Sequence, residues 1–159
     1  MKGKQIALRD PILLRGDGSA ILDPWVEIEG DAEALKKHYW ITPPGLYEQL
    51  NQEFHFDFDP CPYPRRIGYD GLTIPWGKSN YCNPPFQKGM IHWIRKAISE
   101  RGQTVLLLPA PQHILALIDA KAELRSAGRV KFLSIEDGEP NPGPGNCILA
   151  IINRAYGRE

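Results

Sequence analysis

Fifteen prolines punctuate this chain of 159 residues, and several stand directly behind apolar stretches. Proline has no N–H to give and a fixed φ, so it neither continues a strand nor sits inside a helix. The clusters at Pro43-Pro44, Pro60-Cys61-Pro62-Tyr63-Pro64, Pro84-Pro85 and Pro109-Ala110-Pro111 therefore cut the chain into short elements joined by stiff loops. The most constrained of these loops is Asn83-Pro84-Pro85-Phe86. Before it, Ser79-Asn80-Tyr81-Cys82 reads as a strand; after it, residues 87–101 read as a helix carrying Met90, Ile91, Ile94, Ala97 and Ile98 on one face. An asparagine and an aromatic ring held in a set relation at a strand end suit the gripping of something flat and polar.

The other elements follow from the same punctuation. Thr42 is placed to N-cap a helix over 43–53, with Pro43 at its first position and Leu46, Tyr47, Leu50 and Phe54 at helical spacing. Phe54-His55-Phe56-Asp57-Phe58-Asp59 alternates as a strand does, leaving Asp59 at its C-terminal edge. Tyr69-Asp70-Gly71-Leu72-Thr73-Ile74 is a second short strand or a turn. Gly102 closes the helix over 87–101. Thr104-Val105-Leu106-Leu107-Leu108 is the unbroken apolar run of a strand buried on both faces of a parallel sheet. A helix marked by Ile114, Leu115, Leu117, Ile118, Ala122 and Leu124 is expected over 112–126, ended by Gly128, then a strand over 129–133, a turn-rich loop over 137–145 and a last strand over 147–153. This alternation predicts an α/β domain over 39–159 with a mostly parallel sheet and helices on both faces. Ligands in such folds bind beyond the C-terminal ends of the strands, which would gather Asp59, Asn83 and Pro109 at one crevice. Residues 1–38 read as an N-terminal arm or small hairpin around the turn Arg15-Gly16-Asp17-Gly18-Ser19.

Composition narrows the partners. The chain has 19 basic and 19 acidic residues, so bulk charge alone gives no sign of nucleic-acid binding and leaves only segregation of charge by face. No apolar run reaches membrane-spanning length and no signal peptide is visible, so no membrane partner is expected. Three cysteines, Cys61, Cys82 and Cys147, without CxxC spacing argue for buried thiols in a reducing, cytoplasmic compartment. Cys61 and Cys82 with His55 or His92 lack zinc-site spacing, so no metal is expected. Oligomeric state is not legible.

Seven segments together resemble the short phage and prophage DNA N6-adenine methyltransferases. They are Trp40-x-Thr42-Pro43, Phe58-Asp59-Pro60-Cys61, Asp70-Gly71-Leu72 with Trp76, Asn83-Pro84-Pro85-Phe86, Trp93 with Lys96-Ala97, Leu106-Leu107-Leu108-Pro109-Ala110, and Gly128-Arg129-Val130-Lys131-Phe132. They run in the family's order and cover roughly residues 40–152. The Asn-Pro-Pro-aromatic motif alone is moderately specific, since enzymes that methylate guanine amines in RNA or glutamine amides in protein carry it too. The full set is considerably more specific.

The resemblance implies a compact Rossmann-like methyltransferase fold and transfer of a methyl group from S-adenosylmethionine to a flipped adenine in DNA. Adenine's amine is a poor nucleophile because its lone pair is delocalised into the ring. Two acceptors on its N–H bonds would localise that pair: the Asn83 side-chain oxygen and the Pro84 carbonyl, with Pro85 stiffening the loop. Phe86 would stack on the base. Asp59 would hold the cofactor near its amino-acid or ribose end, with Trp40, Thr42 and Pro43 lining its methionine part, Cys61 beside Asp59, and Asp70 a further acceptor. One departure concerns the turn after the first strand, where methyltransferases at large are glycine-rich and this chain has Pro60-Cys61-Pro62-Tyr63-Pro64. The rival readings are a methyltransferase acting on RNA or protein, and a catalytically silent binding protein of the same fold. Trp40, Trp76 and Trp93 read first as core residues. Arg65, Arg66, Lys88, Arg95 and Lys96 are phosphate-contact candidates that read first as solvated surface.

Overall fold

The computed structural model describes residues 40–62, 69–86, 89–110, 112–134, 139–141, 143 and 145–154. The arm expected over 1–38, and Arg65, Arg66 and Lys88, lie outside the described residues. In chain order the elements are helix α1 (Pro44–Phe54), strand β1 (Ser79–Cys82), helix α2 (Met90–Ser99), strand β2 (Gln103–Pro109), helix α3 (Ile114–Asp119), and strands β3 (Glu123–Arg129), β4 (Phe132–Leu133), β5 (Pro140–Asn141) and β6 (Asn146–Asn153).

The two most apolar strands take the centre of a four-stranded sheet of order β1-β2-β6-β3. Val105 to Leu108 of β2 have no exposed surface. β1 pairs with β2 in parallel, Ser79 opposite Gln103. β6 runs antiparallel to both neighbours, with Leu107 opposite Leu149 on one side and Leu124 opposite Ala150 on the other. β4 and β5 form a separate two-stranded pair, and β4 also bridges Ile41 through Leu133.

This overturns the expected mostly parallel, Rossmann-like sheet with helices on both faces. Of the three ladders in the four-stranded sheet one is parallel and two are antiparallel, and the described residues contain three helices. The physical reason lies in the last third of the chain. The helix expected over 112–126 stops at Asp119, because Lys121 takes a left-handed φ of 56° and turns the chain back into β3. Ala122 and Leu124, which seemed to extend the helical stripe, belong to the turn and the edge strand. The route from β3 to β6 then passes through the small β4–β5 pair instead of a crossover helix, so β6 enters the sheet antiparallel.

Two smaller expectations also change. Phe54 ends α1 and His55 adopts a left-handed φ of 51°, so the alternating run 54–59 forms only an isolated parallel bridge, Phe58 to Asn80. Backbone bonds from Asp57 N–H to the Ser79 carbonyl at 2.9 Å and from Tyr81 N–H to the Phe58 carbonyl at 3.0 Å hold this segment, and side chains add to them: Asp57 Oδ1 accepts the Ser79 N–H at 3.0 Å and Ser79 Oγ donates to the Phe54 carbonyl at 2.6 Å. Gly102 does not cap α2, whose C-cap is Glu100. It is needed because a Cβ there would meet the Gly77 and Lys78 carbonyl oxygens at 2.5 and 2.7 Å.

Strand side chains alternate between two apolar clusters. Tyr81, Val105, Leu107, Leu149 and Ile151 join Tyr47, Leu50 and Phe54 of α1, together with Phe56 and Phe132. Cys82, Leu106, Leu108, Ala150 and Ile152 join Met90, Trp93 and Ile94 of α2 and Leu117 of α3, together with Cys61 and Trp76. Because β3 and β2 both oppose β6, strands β1, β2 and β3 point the same way, and so does the bridge at Phe58. Asp59 and Asn83 therefore leave the sheet at the same end.

Gly71 locks the turn under that end. A Cβ there would lie 1.8 Å from the Pro60 carbonyl oxygen and 3.1 Å from the Trp93 ring. Gly71→Ala should destabilise the protein by more than about 1–3 kcal/mol in urea unfolding. Gly45→Ala, in the first turn of α1 with nothing within 4 Å, should instead stabilise it by about 0.5–1 kcal/mol. Equal effects of the two substitutions would contradict this packing.

Candidate functional site

Asn83 follows β1 two residues beyond Tyr81, so in extended chain both side chains project from the same face of the sheet. Pro84 and Pro85 are buried and Phe86 is half-buried, its ring meeting that of Phe132 edge-on at 5.7 Å. Trp40 lies 6.0 Å from Phe132, ring centre to ring centre. The segment 40–42 is fixed here by the reciprocal backbone hydrogen bonds between Ile41 and Leu133, at 3.3 and 2.9 Å.

The Asn83 amide is clamped. Its Nδ2 donates to the Trp40 carbonyl and, at 3.2 Å, to Thr42 Oγ1. A backbone carbonyl can only accept, so the nitrogen must face Trp40 and the oxygen must face away. Asn83 Oδ1 is buried and has no hydrogen-bond partner among the described residues. Thr42 Oγ1 shares a second hydrogen bond, 2.5 Å long, with the Tyr81 hydroxyl. Thr42 thus spends its side chain on this network, and α1 has Pro43 as its N-cap with no side-chain cap, contrary to the N-cap role expected of Thr42. The Pro43 carbonyl accepts the Tyr47 N–H at 3.1 Å.

Tyr47 stands on α1 with its ring edge-on to Tyr81 at 5.2 Å and tilted against Phe56 at 5.7 Å. Its hydroxyl is the second buried polar side-chain atom without a partner among the described residues. Leaving such an atom unsatisfied costs about 1–3 kcal/mol. Both residues touch the Thr42–Tyr81 pair, Asn83 through its Nδ2 and Tyr47 through its ring. Burial, with a smaller contribution from the charge of Asp59, pushes the Tyr47 phenol up to about 12, so at neutral pH it is a donor.

Asp59 is buried, and its Oδ1 accepts the Cys61 N–H at 2.9 Å. Burial pushes its carboxyl up to about 7 against the lowering effect of that hydrogen bond. Its charge also helps hold the Tyr69, Tyr81 and Cys82 protons on, behind burial as the main cause. The groups whose titration Asp59 influences are therefore phenols and a thiol, neutral at pH 7.

Asp70 is placed differently. It is exposed, with Oδ1 accepting the Leu72 N–H at 2.9 Å and its carbonyl accepting the Thr73 N–H at 3.1 Å, which makes it the organiser of a turn. Cys61 meets Asp59 through its backbone, while its side chain packs in the cluster with Trp76 and Trp93. The structure thus gathers Trp40, Thr42 and Asn83 by direct hydrogen bonds, sets Asp59 within electrostatic reach of Tyr47 and Tyr81, and leaves Asp70 at the surface. Sequence reasoning gave no site role to Tyr47, Tyr81 or Phe132. Tyr81 was recoverable from its two-residue spacing to Asn83; Tyr47 was a phenol in an otherwise apolar helical stripe. Among the described residues no group of three His, Cys, Asp or Glu could hold a metal, and no helix is long and apolar enough to cross a membrane.

The Asp59 environment gives a signed pH dependence. The folded carboxyl titrates near 7, above the unfolded value near 3.8, so the native state retains the proton longer and ionisation costs stability as pH rises through that window. Asp59→Asn keeps an oxygen for the Cys61 N–H and removes the ionisation. Its melting temperature should gain on wild type from about pH 4 to about pH 7 and hold a constant lead above. A difference that does not change with pH would contradict the burial of this carboxyl. Compared with protein-family models and with curated proteins, the chain finds no match.

Proposed function

We propose that this chain is an S-adenosylmethionine-dependent DNA adenine N6-methyltransferase. The observation that carries the reading is Asn83 Oδ1, a buried acceptor without a partner among the described residues, whose orientation is set by two hydrogen bonds from the nitrogen of the same amide. An acceptor fixed in advance suits an exocyclic N–H, because no reorganisation is needed when the amine arrives. The Pro84 carbonyl is the candidate for the second N–H, since a proline supplies an acceptor without a competing donor. With both N–H bonds engaged, the amine lone pair is drawn out of conjugation and directed away from the ring. The half-buried Phe86 ring offers a face for the base.

The residues present also fit the cofactor. Asp59 lies among phenols, and a carboxylate with aromatic rings near it attracts an onium group. Trp40, Thr42 and Pro43 adjoin the same end of the sheet. When bound, S-adenosylmethionine supplies an electrophilic methyl on its sulfonium. The chain's own part is to position the amine, exclude water and hold the acceptors rigid; this chemistry asks for no nucleophilic side chain.

The reading is tested by transfer of labelled methyl from S-adenosylmethionine to DNA. Wild type should label DNA, and Asn83→Ala should lose roughly a hundredfold or more in rate, by analogy with the loss of one preorganised polar group elsewhere. Asn83→Ala also removes the hydrogen bonds that hold Trp40 and Thr42, so its cofactor affinity should fall as well. Label that enters RNA or protein in place of DNA would favour the acceptor rivals, and label that enters nothing would favour a silent binding module.

A further inference from the structure

We propose that Tyr47 is a cofactor-binding residue whose hydroxyl donates a hydrogen bond to the carboxylate of the cofactor's amino-acid end. The inference rests on the methyltransferase reading and adds to it a residue and a chemical class of contact.

The starting point is the pairing of the two unsatisfied atoms. Among the described residues, the buried side-chain nitrogens and oxygens that lack a partner are Tyr47 Oη and Asn83 Oδ1. Their residues belong to different elements, α1 and the loop after β1, yet both touch one network. Asn83 Nδ2 bonds Thr42 Oγ1, Thr42 Oγ1 bonds the Tyr81 hydroxyl, and the Tyr81 ring packs against the Tyr47 ring. Two unmet groups on either side of a satisfied network are what a two-part ligand set would leave. Asn83 Oδ1 asks for a donor. Tyr47 Oη–H asks for an acceptor, and Tyr47 is only 8% exposed, so bulk water is a poor substitute.

Packing alone gives no reason for the hydroxyl. The Tyr47 ring already contacts Tyr81 and Phe56 within an apolar cluster, and phenylalanine would make the same ring contacts without burying a polar atom. Asp59 leaves the sheet at the same end as Asn83, and its charge acts on the Tyr47 phenol. A zwitterion is the ligand chemistry that satisfies both: its ammonium favours Asp59 and its carboxylate accepts from Tyr47. The burial that keeps the Tyr47 phenol protonated well above neutral pH supports the donor role.

The test is calorimetric binding to wild type and Tyr47→Phe, with melting temperatures of both proteins without ligand. The proposal expects Tyr47→Phe to melt at the same temperature as wild type or higher, since it loses no protein hydrogen bond. It expects affinity for S-adenosylmethionine and for S-adenosylhomocysteine to fall together by about tenfold or more. Methylthioadenosine, which keeps the nucleoside and lacks the amino-acid end, should bind both proteins equally. Unchanged affinity of Tyr47→Phe for the two amino-acid-bearing ligands overturns the role of Tyr47, as does an equal loss for methylthioadenosine. Wild type that binds none of the three overturns the methyltransferase reading itself, and this assignment with it.

Discussion

The two hydrogen bonds from Asn83 Nδ2 to the Trp40 carbonyl and the Thr42 hydroxyl organise one end of this fold. They tie the loop after β1 to the segment before α1, across 43 and 41 residues of sequence respectively. They also decide the chemistry offered there. A primary amide has a donor end and an acceptor end, and occupying both N–H bonds internally points the acceptor away from Trp40 and Thr42. Without Thr42 and Trp40 the amide would be free to rotate, and Pro84 and Pro85 would stiffen a loop with nothing definite to present.

The rest of the sheet supports that clamp. β1 is held by its parallel ladder to β2, and the fully buried Asn80 anchors it further by donating to the Gln103 carbonyl at 2.9 Å and accepting the Gly77 N–H at 2.7 Å. β4 fixes the segment carrying Trp40 and Thr42 through Ile41 and sends Phe132 between the Trp40 and Phe86 rings. Antiparallel β6 fills the centre of the sheet and leaves the C-terminal ends of β1, β2 and β3 on one side. A mixed sheet thus still puts the C-terminal ends of these three strands on one side.

Legibility in the sequence followed the local physics. Pro43, Pro44, Pro84 and Pro85 are steric statements independent of context, so they placed α1 and the loop after β1 to within a few residues. The apolar run of β2 fell where its burial demanded. The region 112–133 was illegible for the opposite reason. Its helical stripe was carried by Leu115 and Ile118, which are 73% and 54% exposed, and by Leu124 on an edge strand. Leu117 is the one fully buried member of that stripe, too little to enforce the period, and the left-handed Lys121 could not be read from a residue that seldom adopts that conformation. In the site, Asn83 stood out because prolines surround it. Tyr47 and Tyr81 did not, because a phenol in an apolar pattern looks like core until its hydroxyl is followed to a partner or to none.

The central claim is that the Asn83 side-chain oxygen is an acceptor held for an exocyclic amine. The most direct measurement is the 13Cγ resonance of Asn83 in isotopically labelled protein, followed with S-adenosylhomocysteine present to prevent turnover. A short DNA carrying adenine is then compared with the same DNA carrying purine, which lacks the 6-amino group. The account predicts a shift of the Asn83 resonance with adenine that purine does not reproduce. An Asn83 resonance that ignores both, or responds equally to both, would contradict it.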